Sequence, residues 1–367
     1  MTLREQYLRA LRCETTDGLT WAPNLDYWLS VSRLEQTVPA EYEGMTRNEI
    51  VRAIGGTIWN RASGCIQTTD DTVDDLWSTV GPDRVHTLRT PVGEVREVFK
   101  PTEGPARSRR HAERFIKHRD DLRVMRYVAE ATRFEPDYAA TAQALAETGD
   151  EGVVLNTPVC VPFIQFAKTD CGYETAFYML QDWPDESEAV IDAWRRAFVQ
   201  CVEVAAAGPA DMISFGDNMD GVTMSPRLFR RYAEPFYQEA RAAAAGSGKL
   251  LQAHWCGRTR SLLRLAPGCG LDSVEAIVTE PMDAITLGDA LEMLDGRVSL
   301  QGGIPSVFVC AEGGTDDQFR RYLDEVVAPL AGTRGFVLGM SDNVPPNAVF
   351  GRVAGVAEQL GLMQAAS

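Results

Sequence analysis

A histidine and a cysteine stand two residues apart in "LLQAHWCGRT", where an apolar run ends. In an extended chain, side chains at i and i+2 share a face, so His254 and Cys256 project together while Trp255 turns away. Imidazole nitrogen, thiolate sulfur and carboxylate oxygen are all zinc donors, and a catalytic zinc keeps one position open. His254 and Cys256 plus one carboxylate from a neighbouring loop meet that requirement. On spacing alone, the plain alternative is a hydrogen-bonded core histidine beside an inert thiol. Carboxylates that fall just past other apolar runs are the candidate partners: Asp217 and Asp220 in "DMISFGDNMDG", Glu275 in "LDSVEA" and Asp342 in "GFVLGMSDN". Asp217 is a candidate fourth ligand or a hydrogen-bond partner that fixes the His254 tautomer. Its competing role, capping the next helix, suits Ser225 better, because Ser225 directly precedes Pro226. Glu275 reads as a ligand, a general base or an arginine partner.

These residues need a frame that brings loop ends together. From about residue 150, β-type runs alternate with helical ones six times, beginning at "GVVLNTP" and ending at "GFVLGMSD". That alternation indicates a parallel sheet covered by helices. "TWAPN" and "GCIQTTD" (64–70) supply two more strands, and eight strands close a (β/α)8 barrel, an α/β TIM barrel whose active groups sit where strands end on the C-terminal face. An open doubly wound sheet is the competing architecture. A hairpin across "VHTLRTPVGEVREVFK" and a charged helical stretch from Arg107 to Glu147 read as insertions within about 75–148. With no linker or low-complexity segment, residues 1–367 read as one domain.

Composition narrows the function classes. Of 367 residues 45% are hydrophobic, enough to bury a large core. A net charge of -16 argues against a sequence-independent grip on nucleic acid or on an anionic membrane, both of which need basic patches. No apolar run approaches the roughly 20 residues of a membrane span, and "MTLREQYLRALRCE" is an amphipathic start, so the expected location is the cytoplasm. Eight cysteines without a CxxC pair read as reduced and mostly core packing, Cys160 included.

Other residues carry two readings each. Trp21, Asp26, Tyr27 and Trp28 wall a substrate pocket at the end of the first strand, with Asp26 as its acid, or they pack the N-terminal helix onto the barrel. Gly302 and Gly303 permit close backbone approach, suited to a cofactor tail, or are ordinary loop chemistry. His86, His111 and His118 lie in charged or turn-rich segments and read as surface groups. No GxSxG supports a serine nucleophile.

"AHWCG", "GLDSVEAIVTEPMD", "LDGRVSLQGGIPS" and "GFVLGMSDNVPPNA", in that order, resemble the uroporphyrinogen decarboxylase superfamily, closest to its zinc-dependent, corrinoid-linked methyltransferase branch. "ISFGDNMDGVTMSPRLFRRYAEPFY" and the Thr-Pro-x-Gly hairpin "LRTPVGEVREVFK" extend the likeness. The resemblance implies a (β/α)8 barrel with its site in the C-terminal mouth, and zinc held by His254, Cys256 and a residue in the last-strand loop. The branch uses a cysteine there; this chain has Asp342. An oxygen donor leaves zinc more electrophilic than a thiolate does, which disfavours a thiol acceptor and favours an ether, hydroxyl or carboxylate substrate. The corrinoid would come from a partner protein, since no DxHxxG signature is present. Porphyrinogen decarboxylation is disfavoured, because the arginine-bearing N-terminal motif that grips the substrate carboxylates is replaced by "WAPNLDYWLS", an acidic and aromatic mouth. A zinc-assisted decarboxylase or lyase of a small acid is the second reading, favoured by any basic residue that converges on the pocket, with Arg258 and Arg260 as candidates. A metal-free binding barrel is the third.

Overall fold

The computed structural model describes residues 1–104 and 108–362. Two short strands open the barrel, β1 (Thr20–Trp21) and β2 (Ile58–Arg61). Six strands follow outside it: β3 (Cys65–Thr69), β4 (Asp74–Val80), β5 (Asp83–Thr90), β6 (Gly93–Pro101), β7 (Arg109–Glu113) and β8 (Thr132–Pro136). The barrel resumes with β9 (Gly152–Asn156), β10 (Met212–Phe215), β11 (Leu250–His254), β12 (Ser273–Ile277), β13 (Ser299–Ile304) and β14 (Phe336–Met340). Parallel pairing runs β2-β9-β10-β11-β12-β13-β14-β1. The remaining seam closes where the Thr57 amide donates to the Trp21 carbonyl at 2.7 Å. The chain is a (β/α)8 barrel.

Alternation along each strand sorts residues between the interior and the helical layer. Gln252 and His254 on β11 pair in register with Ser273 and Glu275 on β12, which pair in turn with Ser299 and Gln301 on β13. The helix Leu3–Leu11, opened by a Thr2/Glu5 capping box, packs Tyr7, Ala10 and Leu11 with Trp59, Leu155, Met212, Leu250 and Val337 and so plugs the N-terminal end. There the Tyr7 hydroxyl and the Gln252 amide both donate to Gln301 Oε1, at 2.6 and 3.0 Å.

Four expectations are corrected. The second barrel strand is "IWNR", whereas Cys65–Thr69 pairs antiparallel with β8 outside the barrel. The stretch expected to be helical from Arg107, itself outside the described residues, holds strand β7, helix Arg119–Ala131, strand β8 and helix Ala139–Thr148. "RTRSLLRLA", which the alternation makes the helical run after "KLLQAHW", forms no α-helix, only turns and one 3-10 turn at Leu263–Leu265. The hairpin is present as β5–β6 within a four-stranded antiparallel sheet. On that sheet His86 and His111 are not free surface groups, because both reach the buried Glu97 carboxylate, at 3.0 and 3.2 Å.

Candidate metal centre at the barrel mouth

His254 ends β11, and Cys256 follows two residues later. Backbone bonds fix this turn on both sides: the Trp255 amide donates to the Glu275 carbonyl at 2.8 Å, the Met219 amide to the His254 carbonyl at 3.2 Å, and the Gly257 amide to the Met219 carbonyl at 2.9 Å. Asp342 stands just past β14. One ligand atom from each of His254, Cys256 and Asp342 lies within 4.8 Å of the other two. Nitrogen, sulfur and oxygen at that separation are a donor set of the kind that zinc accepts.

The imidazole is oriented from behind. Its Nδ1 lies 2.5 Å from Glu275 Oε2, and Glu275 is buried. That contact leaves Nε2 facing Asp342, whose Oδ1 is 3.8 Å away. Burial works against the imidazolium, but the Glu275 carboxylate and the Cys256 sulfur outweigh it and raise the His254 pKa to about 11. Asp342 is raised from its ordinary value by burial, partly offset by the imidazolium. In the metal-free chain the proton on His254 thus stands in for the cation that three such donors accommodate. Strand register sets Glu275 opposite His254, and β12 turns irregular just past it, where pairing with β13 shifts between Glu275 and Ile277 and Ala276 adopts φ +68°. A non-glycine residue there carries strain, a common mark of bulges beside sites.

Asp217 is fully buried behind the mouth, and both its oxygens are engaged. Oδ1 accepts from the Val161 amide at 2.7 Å and Oδ2 from the Tyr237 hydroxyl at 2.5 Å, which itself accepts from Trp255 Nε1 at 3.3 Å. Burial raises its pKa to about 6 against those hydrogen bonds. Asp217 therefore braces the residue between His254 and Cys256. Asp220 binds the Val222 and Arg258 amides, at 2.7 and 3.3 Å. Ser225 caps the following helix, with Pro226 in its first turn.

Asp26 is not brought into the three-donor group. It sits in the first turn of helix Asp26–Glu35, 2.7 Å from Arg47 Nε and 3.9 Å from Arg61. Gly302 and Gly303 lie within β13 rather than in a loop, at φ +146° and +106°. A Cβ on Gly302 would come 3.1 Å from the Ile277 amide nitrogen, and one on Gly303 3.1 Å from Leu287, so wall packing accounts for both. Cys310 turns to Ser306 and Asn347, and Cys160 sits where burial and Asp217 push its thiol far above the usual range.

Three mouth residues escaped the sequence reading. Arg61 ends β2, stacks its guanidinium 4.6 Å over Trp59, and its charge acts on Asp342. The mouth is therefore not the purely acidic surface that "WAPNLDYWLS" suggested. Lys168 favours the charged forms of Asp217 and Cys160, and burial raises the Tyr173 phenol above its ordinary value. Arg61 was visible only as the last residue of "IWNR", a strand too short to stand out; nothing in the sequence marked the other two.

A family model described as Uroporphyrinogen decarboxylase (URO-D) matches residues 104–359. Among solved structures, a methyltransferase from Methanosarcina mazei superposes with a TM-score of 0.63 at 14% sequence identity, over 98% of this chain and 98% of that one. A sequence search of curated proteins finds no match. The family model spans well over half the chain, and the chain belongs to the uroporphyrinogen decarboxylase family.

Proposed function

We propose that this chain is a zinc-dependent methyltransferase that moves a methyl group between a heteroatom of a small substrate and a corrinoid carried by a separate protein. We read residues 1–367 as one domain, working in the cytoplasm. The observation that carries the proposal is the convergence of His254, Cys256 and Asp342 on one point, with Glu275 behind the imidazole. Family membership and the methyltransferase neighbour support it.

His254, Cys256 and Asp342 would hold the metal. When bound, zinc supplies a Lewis acid for the substrate heteroatom, and the corrinoid supplies the methyl acceptor or donor. Glu275 fixes the His254 tautomer so that Nε2 is the free nitrogen, as carboxylates behind zinc-binding histidines do. Asp217 and Tyr237 hold Trp255 in place and with it the separation of His254 from Cys256. An aspartate in place of a second thiolate favours an oxygen substrate, an ether, hydroxyl or carboxylate, over a thiol. Asp26 is proposed to act through Arg47 and Arg61 rather than on the substrate. For Gly302 and Gly303 a cofactor contact would be through backbone alone.

Arg61 favours a second reading. A guanidinium whose charge acts on Asp342 suits a carboxylate substrate, as a decarboxylase or lyase of a small acid requires. One assay separates the two. The zinc-loaded chain is given cob(I)alamin and a panel of methyl ethers, methanol and methyl thioethers, and methylcobalamin is followed by absorbance. Turnover of oxygen-linked methyl groups, abolished in Cys256→Ala, is the expected result. Carbon dioxide release from small acids without methyl transfer would replace the first reading with the second, and neither activity, with no zinc taken up, would leave a metal-free binding barrel.

A further inference from the structure

Immediately past Cys256 the chain presents three arginines, Arg258, Arg260 and Arg264, around a cleft of about 650 Å³ beside the mouth. The loop after β10 contributes Gly221 and Val222 to the lining. Among the described residues, none of the three guanidinium groups has an ion-pair or hydrogen-bond partner; only the main-chain amides of Arg258 and Arg260 are engaged. The one carboxylate in the lining, Asp283, is directed at main-chain amides, accepting from Arg260 at 3.4 Å and Ala284 at 2.8 Å. In a chain of net charge -16, this is a local concentration of unspent positive charge.

The arginines are mounted on a rigid base. The Gly221 amide donates to the Arg258 carbonyl at 2.9 Å, and a Cβ on Gly221 would lie 2.6 Å from that oxygen, so the two loops interlock with no room for a side chain. Leu262 and Leu263 anchor the segment in the core, and both amides donate to the Thr259 carbonyl, at 2.7 and 3.1 Å. Such preorganisation reduces the ordering cost of binding. The cleft is shallow and open to solvent, so it would hold an anion by the guanidinium groups on its surface and not by enclosure.

We propose that this cleft binds a small polyanion through phosphate or carboxylate groups, with Arg258, Arg260 and Arg264 as its ligands. Guanidinium forks match both oxyanions, and the site's position beside Cys256 would hold the charged end of a molecule whose other end enters the mouth. The inference does not depend on the metal centre.

Isothermal titration of the metal-free chain at low salt tests it, with pyrophosphate and citrate as probes for the two oxyanion chemistries. Saturable binding at one site per chain is expected, unchanged in His254→Ala. It should weaken by at least about tenfold in the Arg260→Ala/Arg264→Ala double variant and fall as salt is raised. The tighter probe identifies the oxyanion class. Circular dichroism of the double variant, which alters only exposed side chains, should match that of the parent. No saturable binding of either probe, or equal affinity in the double variant, would overturn the proposal. So would a polyglutamate peptide that binds where both small anions fail, which would make the arginines a protein-docking surface.

Discussion

On β11, Gln252 and His254 are one side-chain repeat apart, as Ser273 and Glu275 are on β12. The lower residues are neutral and belong to a floor closed by Tyr7, where burial and the nearby Glu275 charge keep the phenol protonated far above its ordinary range. The upper residues are a carboxylate and an imidazole in contact, beside a thiol and a second carboxylate. The same strands thus supply a sealed plug at one end and a set of mutually dependent ionisable groups at the other. The floor is held by packing, whereas the mouth is held by charges that a cation would reconcile.

If that division is real, pH should act on the C-terminal side and leave the floor untouched. Asp170, in the connection leaving β9, is fully buried between Gln165 and Trp194, and burial raises it from 3.8 to about 7 against those two hydrogen bonds. A carboxyl whose folded pKa is raised contributes no penalty below its unfolded value. Stability is then lost as pH rises through the folded value, on the order of 4 kcal/mol between about pH 4 and pH 8. Denaturant unfolding across that range should lose at least this much, since Asp217 adds to it in the same sense, and the slope should lessen in Asp170→Asn. The floor variant Leu11→Ala should lower stability by about 3 kcal/mol at every pH, with zinc affinity of the folded fraction unchanged. A loss of zinc binding in that variant would erase the distinction between the two ends.

Glu275→Gln should act at the mouth instead. Removing the carboxylate behind His254 should weaken zinc binding about 10- to 100-fold by competition with a chromogenic chelator, and near neutral pH it should also lower the unfolding midpoint of the metal-free chain, because the imidazolium loses its buried partner. In the metal-free parent, with His254 raised to about 11, zinc uptake near neutral pH should release a proton to a weakly buffered indicator, and less should be released in the Gln variant. The smallest effect is expected at Ala276, whose positive φ follows Glu275. Ala276→Gly relieves strain of about 1 kcal/mol and should raise the thermal midpoint slightly. A fall in stability would show that the methyl group packs against the wall to greater effect than its backbone strains it.

Much of this was legible in the sequence, for identifiable reasons. Six strand-helix repeats after residue 150 are long and regular enough to declare a barrel, and the rule that chemistry follows strand ends placed His254, Cys256 and Asp342 at one mouth. β2 was missed because four residues between turns carry little periodicity, and the apolar-polar run at 64–70 imitated it. That run pairs with β8, more than sixty residues away, which no local pattern can show. The stretch after Cys256 has helical spacing of leucines, but Pro267 and Gly268 cut it short, and its arginines face the cleft instead of a helix surface. Arg61 and Tyr173 required the tertiary fold, since nothing in their neighbourhoods marks them as mouth residues. Glu275 was visible as a candidate, but its place behind the imidazole follows from strand register alone.

The most direct test of the central claim is X-ray absorption at the zinc edge on the chain purified without chelator, with metal content measured on the same sample. The account predicts about one zinc per chain, with one sulfur scatterer near 2.3 Å and nitrogen or oxygen scatterers near 2.0–2.2 Å, and with the sulfur shell absent in Cys256→Ala. No stoichiometric zinc after incubation with the metal, or a shell containing two sulfurs, would contradict the assignment of His254, Cys256 and Asp342 as the ligand set.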